Sequence, residues 1–382
     1  MSGNSYLTIN REAVNKNVTF LKRKLGGKVR ISAVVKANAY GHGIEQMVPL
    51  FEKEGIDHFA VFDFEEAKKV KNIIRSDSDI MIMGWIADND IEDSVLNGFE
   101  IFIYNTHRLI KTIEKARKLK KKVKIHLEIE TGMNRLGLDS ESFIKAISII
   151  DQNRDVLEIK GFCTHLAGAE SVSNYKRIIS QLKKYKSLLN ILEKNMIYPE
   201  YKHVANSAAA IVYPKSKMDM VRVGIMLYGL WSSPETFIHY THDKKVKSDP
   251  LHRILGWKSS IMSIKDIKEG EFIGYGISYL TQKETRIAII PVGYAMGYNR
   301  SLSNKGRVLI NGYRCGVIGI VNMNMIIVDI TNVPNANIGD EVVLIGKQGD
   351  LEIKVSSFSN ISNELNYEVL AHMPENLERK II

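Results

Sequence analysis

The stretch AVVKANAYGHG, residues 33–43, runs from small and β-branched apolar residues straight into Lys36, then Asn38, Tyr40 and a glycine-flanked histidine. The apolar half reads as a buried strand. An ammonium group at the end of such a strand is costly to bury unless it has a partner or a task. Working outward, further apolar runs follow: HFAVFD (58–63), DIMIMG (79–84), FEIFIY (99–104), VKIHLEIE (123–130), LEIKGFCTHL (157–166), YKHVANS (201–207) and MVRVGIMLY (220–228). Amphipathic stretches such as FEEAKKVKNIIR (64–75) and NYKRIISQLKKYKSLLNILEKN (174–195) lie between them. Counting the first stretch, these are eight strands alternating with helices, the pattern of a (β/α)8 barrel. A doubly wound open sheet is the alternative, and it is disfavoured because no G-x-G-x-x-G follows the first strand.

Beyond about residue 243 the pattern changes. RILGWKSSIMSI (253–264), TRIAIIPVGY (285–294), GRVLING (306–312), GVIGIVNMNMIIVDI (316–330) and DEVVLIG (340–346) are β-rich runs broken by glycine, with no long helix between them. A helix is expected near ISNELNYEVLAHM (361–373), and the polar segment 232–250 makes the best linker. The expected fold class is therefore α/β: an N-terminal (β/α)8 TIM-type barrel over residues 1–243 and a C-terminal mostly-β domain over 244–382.

The 382 residues are enough for a well-buried core, at 45% hydrophobic and 25% charged. The first residues carry no basic region ahead of an apolar core, and no apolar run approaches the ~20 residues of a membrane helix. With only Cys163 and Cys315, in no metal-like spacing, a reducing cytoplasm and no metal are expected. The net charge of +10 raises nucleic acid as a partner. Its densest run, KARKLKKK (115–122), reads instead as a solvated helix end, and no nucleic-acid motif accompanies it.

A barrel carries its active groups at the C-terminal ends of several strands. Lys36, Arg135, His165, Asn206 with Ser207, and Arg222 with Gly224 all fall at such ends. A lysine emerging from an apolar strand can lose its charge to desolvation and nearby cations. A neutral amine is a nucleophile towards an aldehyde, and pyridoxal 5'-phosphate fits that frame. Backbone N–H groups around Gly224 and Ile225, with Ser207 and Tyr40, could take its phosphate, Arg222 could face its pyridine ring, and His165 could lie against the ring.

The sequence resembles the fold-type III, pyridoxal-phosphate-dependent alanine racemases almost end to end. The resemblance is carried by AVVKANAYGHG, ETGMNRLG (130–137), THLAGAE (164–170), ANSAA (205–209), MVRVGIMLYG (220–229), IGYGISY (273–279), PVGY (291–294) and YEVL (367–370). It implies that Lys36 holds the cofactor and is the base on one substrate face, with Tyr275 the base on the other, contributed by the second subunit of a homodimer with shared active sites. It also implies that Arg135 contacts the cofactor and the substrate carboxylate, and that His165 and Arg222 form a network with Tyr275. Tyr40, Ser207, Gly224 and Ile225 would hold the phosphate, Asn206 would support the ring, Tyr294 would line the substrate entry and Met323 would offer its backbone.

Four positions depart from the family pattern. Glu128 stands where many members carry a carbamylated lysine, and a glutamate there is expected to pair with Arg135. Met296 and Asn324 stand where acids are common. Glu375 aligns with a phosphate-binding tyrosine. The expected activity is interconversion of L- and D-alanine, supplying D-alanine for peptidoglycan. The alternatives are a serine or lysine racemase, a fold-type III decarboxylase and a non-enzymatic cofactor carrier.

Overall fold

The computed structural model describes residues 5–243, 245 and 247–382. The chain divides into two compact units, one of residues 12–36 and 47–252, the other of residues 1–11, 37–46 and 253–382.

The first unit is the expected barrel. Its strands are β2 (Arg30–Val34), β3 (His58–Val61), β4 (Asp79–Ile82), β5 (Glu100–Ile103), β6 (Val123–Glu128), β7 (Leu157–Cys163), β8 (Tyr201–His203) and β9 (Met220–Val223). They form one sheet in the order β8-β7-β6-β5-β4-β3-β2-β9, and every pairing is parallel. The barrel closes between β8 and β9, where Asp219 N–H donates to the Lys202 carbonyl (3.1 Å) and Arg222 N–H to the Ala205 carbonyl (3.1 Å). Both faces of these strands are covered, which is why they read as unbroken apolar runs. Ala33, Phe59, Met81, Ile101 and Leu127 are fully buried. The basic run at 115–122 begins inside the helix Thr106–Leu119, where Lys115 and Lys118 pair with Glu92 and Arg117 with Asp155.

The second unit is mostly β. Its first strand, β1 (Ser5–Ile9), was expected within residues 1–243, but it pairs antiparallel with β10 (Leu255–Ser260) and parallel with β18 (Glu378–Ile381). The full sheet runs β14-β13-β16-β10-β1-β18, with β17 (Leu351–Ile353) on β16 (Glu341–Gln348), and β13 and β14 spanning Arg307–Ile310 and Tyr313–Gly316. A second sheet pairs β11 (Ser263–Ile267), β12 (Thr285–Ile290) and β15 (Ile326–Asp329). Trp257 opposes Leu7 on β1, is fully buried against Tyr298 and Phe358, and donates its indole N–H to Ser5 Oγ at 2.8 Å. Residues 361–373 hold the end of one helix (Val355–Ser362) and the whole of another (Asn366–Ala371). The segment expected as a linker contains the helix Pro234–Thr241, capped by Ser233. The expected boundary falls beside Lys244, which lies outside the described residues.

Candidate active site

The barrel unit brings the expected mouth residues to the C-terminal ends of its strands. Lys36 follows β2, Glu128 ends β6 with Arg135 beyond it, His165 follows β7, Asn206 and Ser207 follow β8, and Arg222 lies in β9 just before Gly224. Asn206 caps the helix Ser207–Val212, its side chain accepting from Ala209 N–H at 2.9 Å. Ser207 Oγ accepts from Gly224 N–H at 3.0 Å, which ties the ends of β8 and β9 together. Ile225 is buried beside it.

The electrostatics of this mouth are one-sided. Burial, and then the charge of Arg135, push the Lys36 amine below its usual pKa, with Glu66 opposing. Burial and the charges of Arg222, Arg135 and Lys36 push His165 down to about 3, so its imidazole is neutral. Burial holds the Glu128 carboxyl above its usual range although Arg222 and Arg135 pull the other way. A mouth with this surplus of positive charge suits an anionic ligand, and a lysine amine pushed towards neutrality suits an aldehyde. The orphaned Glu128 oxygen leaves a further buried acceptor there.

Two expected contacts are not made. Glu128 forms no ion pair with Arg135, and its Oε2 has no hydrogen-bond partner. The carboxyl is drawn into the buried end of β6 while Arg135 is exposed on the loop beyond. Arg222 makes no hydrogen bond to His165. Its guanidinium donates to the ring Nδ1 and the carbonyl of His203 and to the Thr164 carbonyl (2.8 Å), and it reaches His165 only through its charge. The His203 contact belongs to a polar chain that the sequence analysis missed: His58, Glu100, His126 and His203, all fully buried. The available signal was a titratable residue inside each of four apolar strand runs.

The other unit holds Tyr40, Tyr275, Tyr294 and Met323. Tyr40 ends a left-handed helical turn in which Ala37, Asn38, Ala39 and Tyr40 have φ of 52°, 50°, 54° and 52°. Each such residue costs about 1–2 kcal/mol, so the surroundings must enforce the turn. Gly41 N–H donates to the Ala37 carbonyl (3.0 Å) and Gly43 N–H to the Asn38 carbonyl (2.9 Å). The buried His42 Nδ1–H donates to the Ala39 and Tyr40 carbonyls (3.1 and 2.8 Å), and Asn38 Oδ1 accepts from Ile44 N–H. Arg379 donates through Nε and Nη2 to the Gly41 carbonyl (3.1 and 2.9 Å) and through Nη1 to the Glu375 carbonyl. The C-terminal segment carrying Glu375 is thus folded against this turn, and a Cβ on Gly41 would collide with the Leu370 carbonyl. Tyr40 also packs near Tyr367, with ring centroids 6.0 Å apart.

Tyr275 stands between Gly274 (φ 74°) and Gly276 (φ 67°), is 71% exposed, and has the exposed Phe272, Ile277 and Leu280 around it. Tyr294 and Met323 are also exposed, and their loops are zipped together: Tyr294 N–H donates to the Asn322 carbonyl (3.0 Å) and Ala295 N–H to the Met323 carbonyl (2.9 Å).

Comparison with known proteins finds relatives along almost the whole chain. Residues 9–232 match the family model of the alanine racemase N-terminal domain, and residues 254–381 that of the C-terminal domain. The chain is 34% identical to the alanine racemase of Leptospira interrogans over 99% of its length and 96% of the relative's. It is likewise 34% identical to that of Methanococcus maripaludis, over 97% and 96%. Among solved structures, the alanine racemase of Clostridium difficile 630 superposes with a TM-score of 0.90 at 31% identity, over 100% of this chain and 96% of that one. The Bartonella henselae enzyme, solved with covalently bound pyridoxal phosphate, gives 0.85 at 28%, over the whole of both chains. The family depends on that cofactor. With both domain models matched in order and full-length relatives above 30% identity, the chain belongs to the alanine racemase family.

Proposed function

We propose that this protein interconverts L- and D-alanine with pyridoxal phosphate by a two-base mechanism, as a homodimer whose active sites are shared. The observation that carries the reading is Lys36: a lysine at the end of a buried barrel strand, its amine pushed below the usual pKa by burial and by Arg135. When bound, the cofactor withdraws electrons from the substrate Cα and makes its proton labile. Lys36 would hold the cofactor through Nζ, and the same amine would take or return a proton on one face of the substrate Cα. Tyr275 does the same through its hydroxyl on the opposite face, so inversion needs no movement of the substrate. Arg135 holds the substrate carboxylate. Tyr40, Ser207, Gly224 and Ile225 would receive the phosphate, Asn206 would support the ring region, and Arg222 would face the pyridine nitrogen. An arginine there disfavours protonation of that nitrogen and with it the side reactions of a stronger electron sink. Tyr294 lines the substrate entry, and Met323 presents its backbone to the carboxylate.

The exposed apolar surround of Tyr275 supports a partner subunit covering it. No helix among the described residues is long and apolar enough to cross a membrane. The reading extends to a cytoplasmic role supplying D-alanine for peptidoglycan. The test is D-alanine formation from L-alanine by purified, cofactor-loaded protein, with L-serine and L-lysine in parallel. Turnover fastest on alanine is expected. Turnover confined to serine or lysine overturns the substrate assignment, and none on any of them overturns the racemase reading.

A further inference from the structure

The interior of the barrel is crossed by a line of polar side chains that ends on Arg222 and whose other members the proposed reaction does not use. Ser32 (β2), His58 (β3), Glu100 (β5), His126 (β6) and His203 (β8) are each fully buried, and Arg222 (β9) is nearly so. His58 Nδ1 lies 2.9 Å from Ser32 Oγ, and its Nε2 2.9 Å from Glu100 Oε2. The same carboxylate oxygen lies 2.7 Å from His126 Nε2. His126 Nδ1 lies 2.8 Å from His203 Nε2, and His203 Nδ1 meets Arg222 Nη1. The contacts join side chains of β2, β3, β5, β6, β8 and β9 and skip β4 and β7.

Two further features show that the line is built rather than incidental. β7 carries Gly161 where the line passes. A Cβ there would collide with His126 Nδ1 and lie 2.7 Å from His203 Nε2. Phe102 packs against both rings, with centroids 5.5 Å from His126 and 6.0 Å from His203.

The donors run in one direction. A guanidinium has no acceptor, so His203 Nδ1 must accept, and the proton of its neutral ring sits on Nε2. That N–H donates to His126 Nδ1, which leaves the His126 proton on Nε2, donating to Glu100 Oε2. Both imidazoles are held in the same tautomer between a cation at one end and a carboxylate at the other. The surroundings agree: burial and Arg222 keep His203 well below its usual pKa, burial keeps His126 down, and, although burial opposes it, the contacts from His126 and His58 keep the Glu100 carboxyl well below the usual range. Replacing any member leaves its neighbours buried with a hydrogen bond unmade.

We propose that Glu100, His126 and His203 are positioning residues: a directional hydrogen-bond line, admitted by Gly161, that fixes the orientation of the Arg222 guanidinium at the barrel mouth. The inference rests on the reading that Arg222 faces the pyridine nitrogen of the cofactor.

The first test needs no variant. Nitrogen-15 NMR of the histidine rings in wild-type, cofactor-free protein should show His126 and His203 each protonated only at Nε2, between pH 6 and 8. Protonation of either at Nδ1 overturns the line. The second test compares Glu100→Gln and Gly161→Ala with Arg222→Lys, all loaded with cofactor labelled at the ring nitrogen. Arg222→Lys should move the nitrogen-15 resonance. Glu100→Gln and Gly161→Ala should move it the same way by less, with kcat about tenfold lower and KM within about twofold. A merely structural line would lower stability and leave the ring-nitrogen resonance unchanged, and that result overturns the inference. If Arg222→Lys itself leaves the resonance unmoved, the reading of Arg222 has failed, and with it the line's proposed role towards the cofactor. The tautomers then still report separately on the line itself.

Discussion

The two proposed catalytic neighbourhoods are built in opposite ways. In the barrel unit, Arg222 has three hydrogen-bond acceptors within the chain, and Ser207 is tied to Gly224. In the other unit, Tyr275 is the most exposed of the proposed site residues for which exposure is given, held only by a turn between two left-handed glycines. One neighbourhood is organised by the fold of a single chain. The other gains little from its own chain, which is the condition that the proposed second copy would complete. The fold should therefore depend on the first neighbourhood and be indifferent to the second, while turnover needs both.

Tyr275→Phe gives the largest expected effect. It should lower kcat by about 10²- to 10⁴-fold while shifting unfolding stability by less than about 0.5 kcal/mol. A denaturant midpoint that falls together with activity would break the contrast. Arg222→Met should show the opposite balance: it strands His203 Nδ1 and two backbone carbonyls in the interior, at a cost of about 3 kcal/mol by denaturant unfolding. If Arg222→Met were as harmless to stability as Tyr275→Phe, the barrel mouth would not be preorganised.

How much of this was legible in the sequence follows from the range of the interactions. The eight barrel strands were, because parallel strands covered on both faces read as apolar runs. Lys36 and Arg222 were, because a charge at the end of such a run or inside it stands out. The membership of β1 was not, since its partners β10 and β18 lie at the far end of the chain and no local pattern announces that pairing. The histidine line was written as a polar residue in each of four apolar runs, but one residue at a time each reads as an accident. Only the pairing of β6 and β8 on either side of β7, with Gly161 between the rings, brings His126 to His203. The Glu128–Arg135 pair was a chemically reasonable expectation that failed because Glu128 is buried at the end of β6 while Arg135 is exposed on the loop beyond it.

Acidification should sharpen the same contrast. His42 is held down to about 4, chiefly by burial, and His165 to about 3. Their unfolded forms bind protons from about pH 6.5 downward, while the folded forms do not. Stability therefore falls as pH drops from about 6.5 towards these values. His126 and His203 add to the slope with the same sign, as does Glu100, whose depressed pKa gives stability that is lost on protonation. Glu128, with its raised pKa, opposes it. For His42 the loss by pH 4 is on the order of 2–3 kcal/mol. Denaturant midpoints measured from pH 7 to pH 4 should fall steadily, and Tyr275→Phe should leave the slope unchanged. A flat profile would mean that these imidazoles are not held neutral by the fold.

The smallest expected effect concerns the left-handed turn. Ala37 is exposed at φ 52°, and Gly occupies that region without the Cβ clash that burdens alanine. Ala37→Gly should recover about 1–2 kcal/mol of strain and lose about 0.4–1 kcal/mol to the freer unfolded chain. The net is a stabilisation of up to about 1.5 kcal/mol, read as a rise in the denaturant midpoint. The residue directly follows Lys36, so the strain falls next to the group proposed to hold the cofactor. Strained backbone persists where the surroundings over-determine it, and here His42, Asn38 and Arg379 do so. A variant that is more stable yet loses turnover would show that alanine's restriction to this conformation serves the reaction. A variant that is more stable and equally active would show that those three side chains hold the turn without help from residue 37.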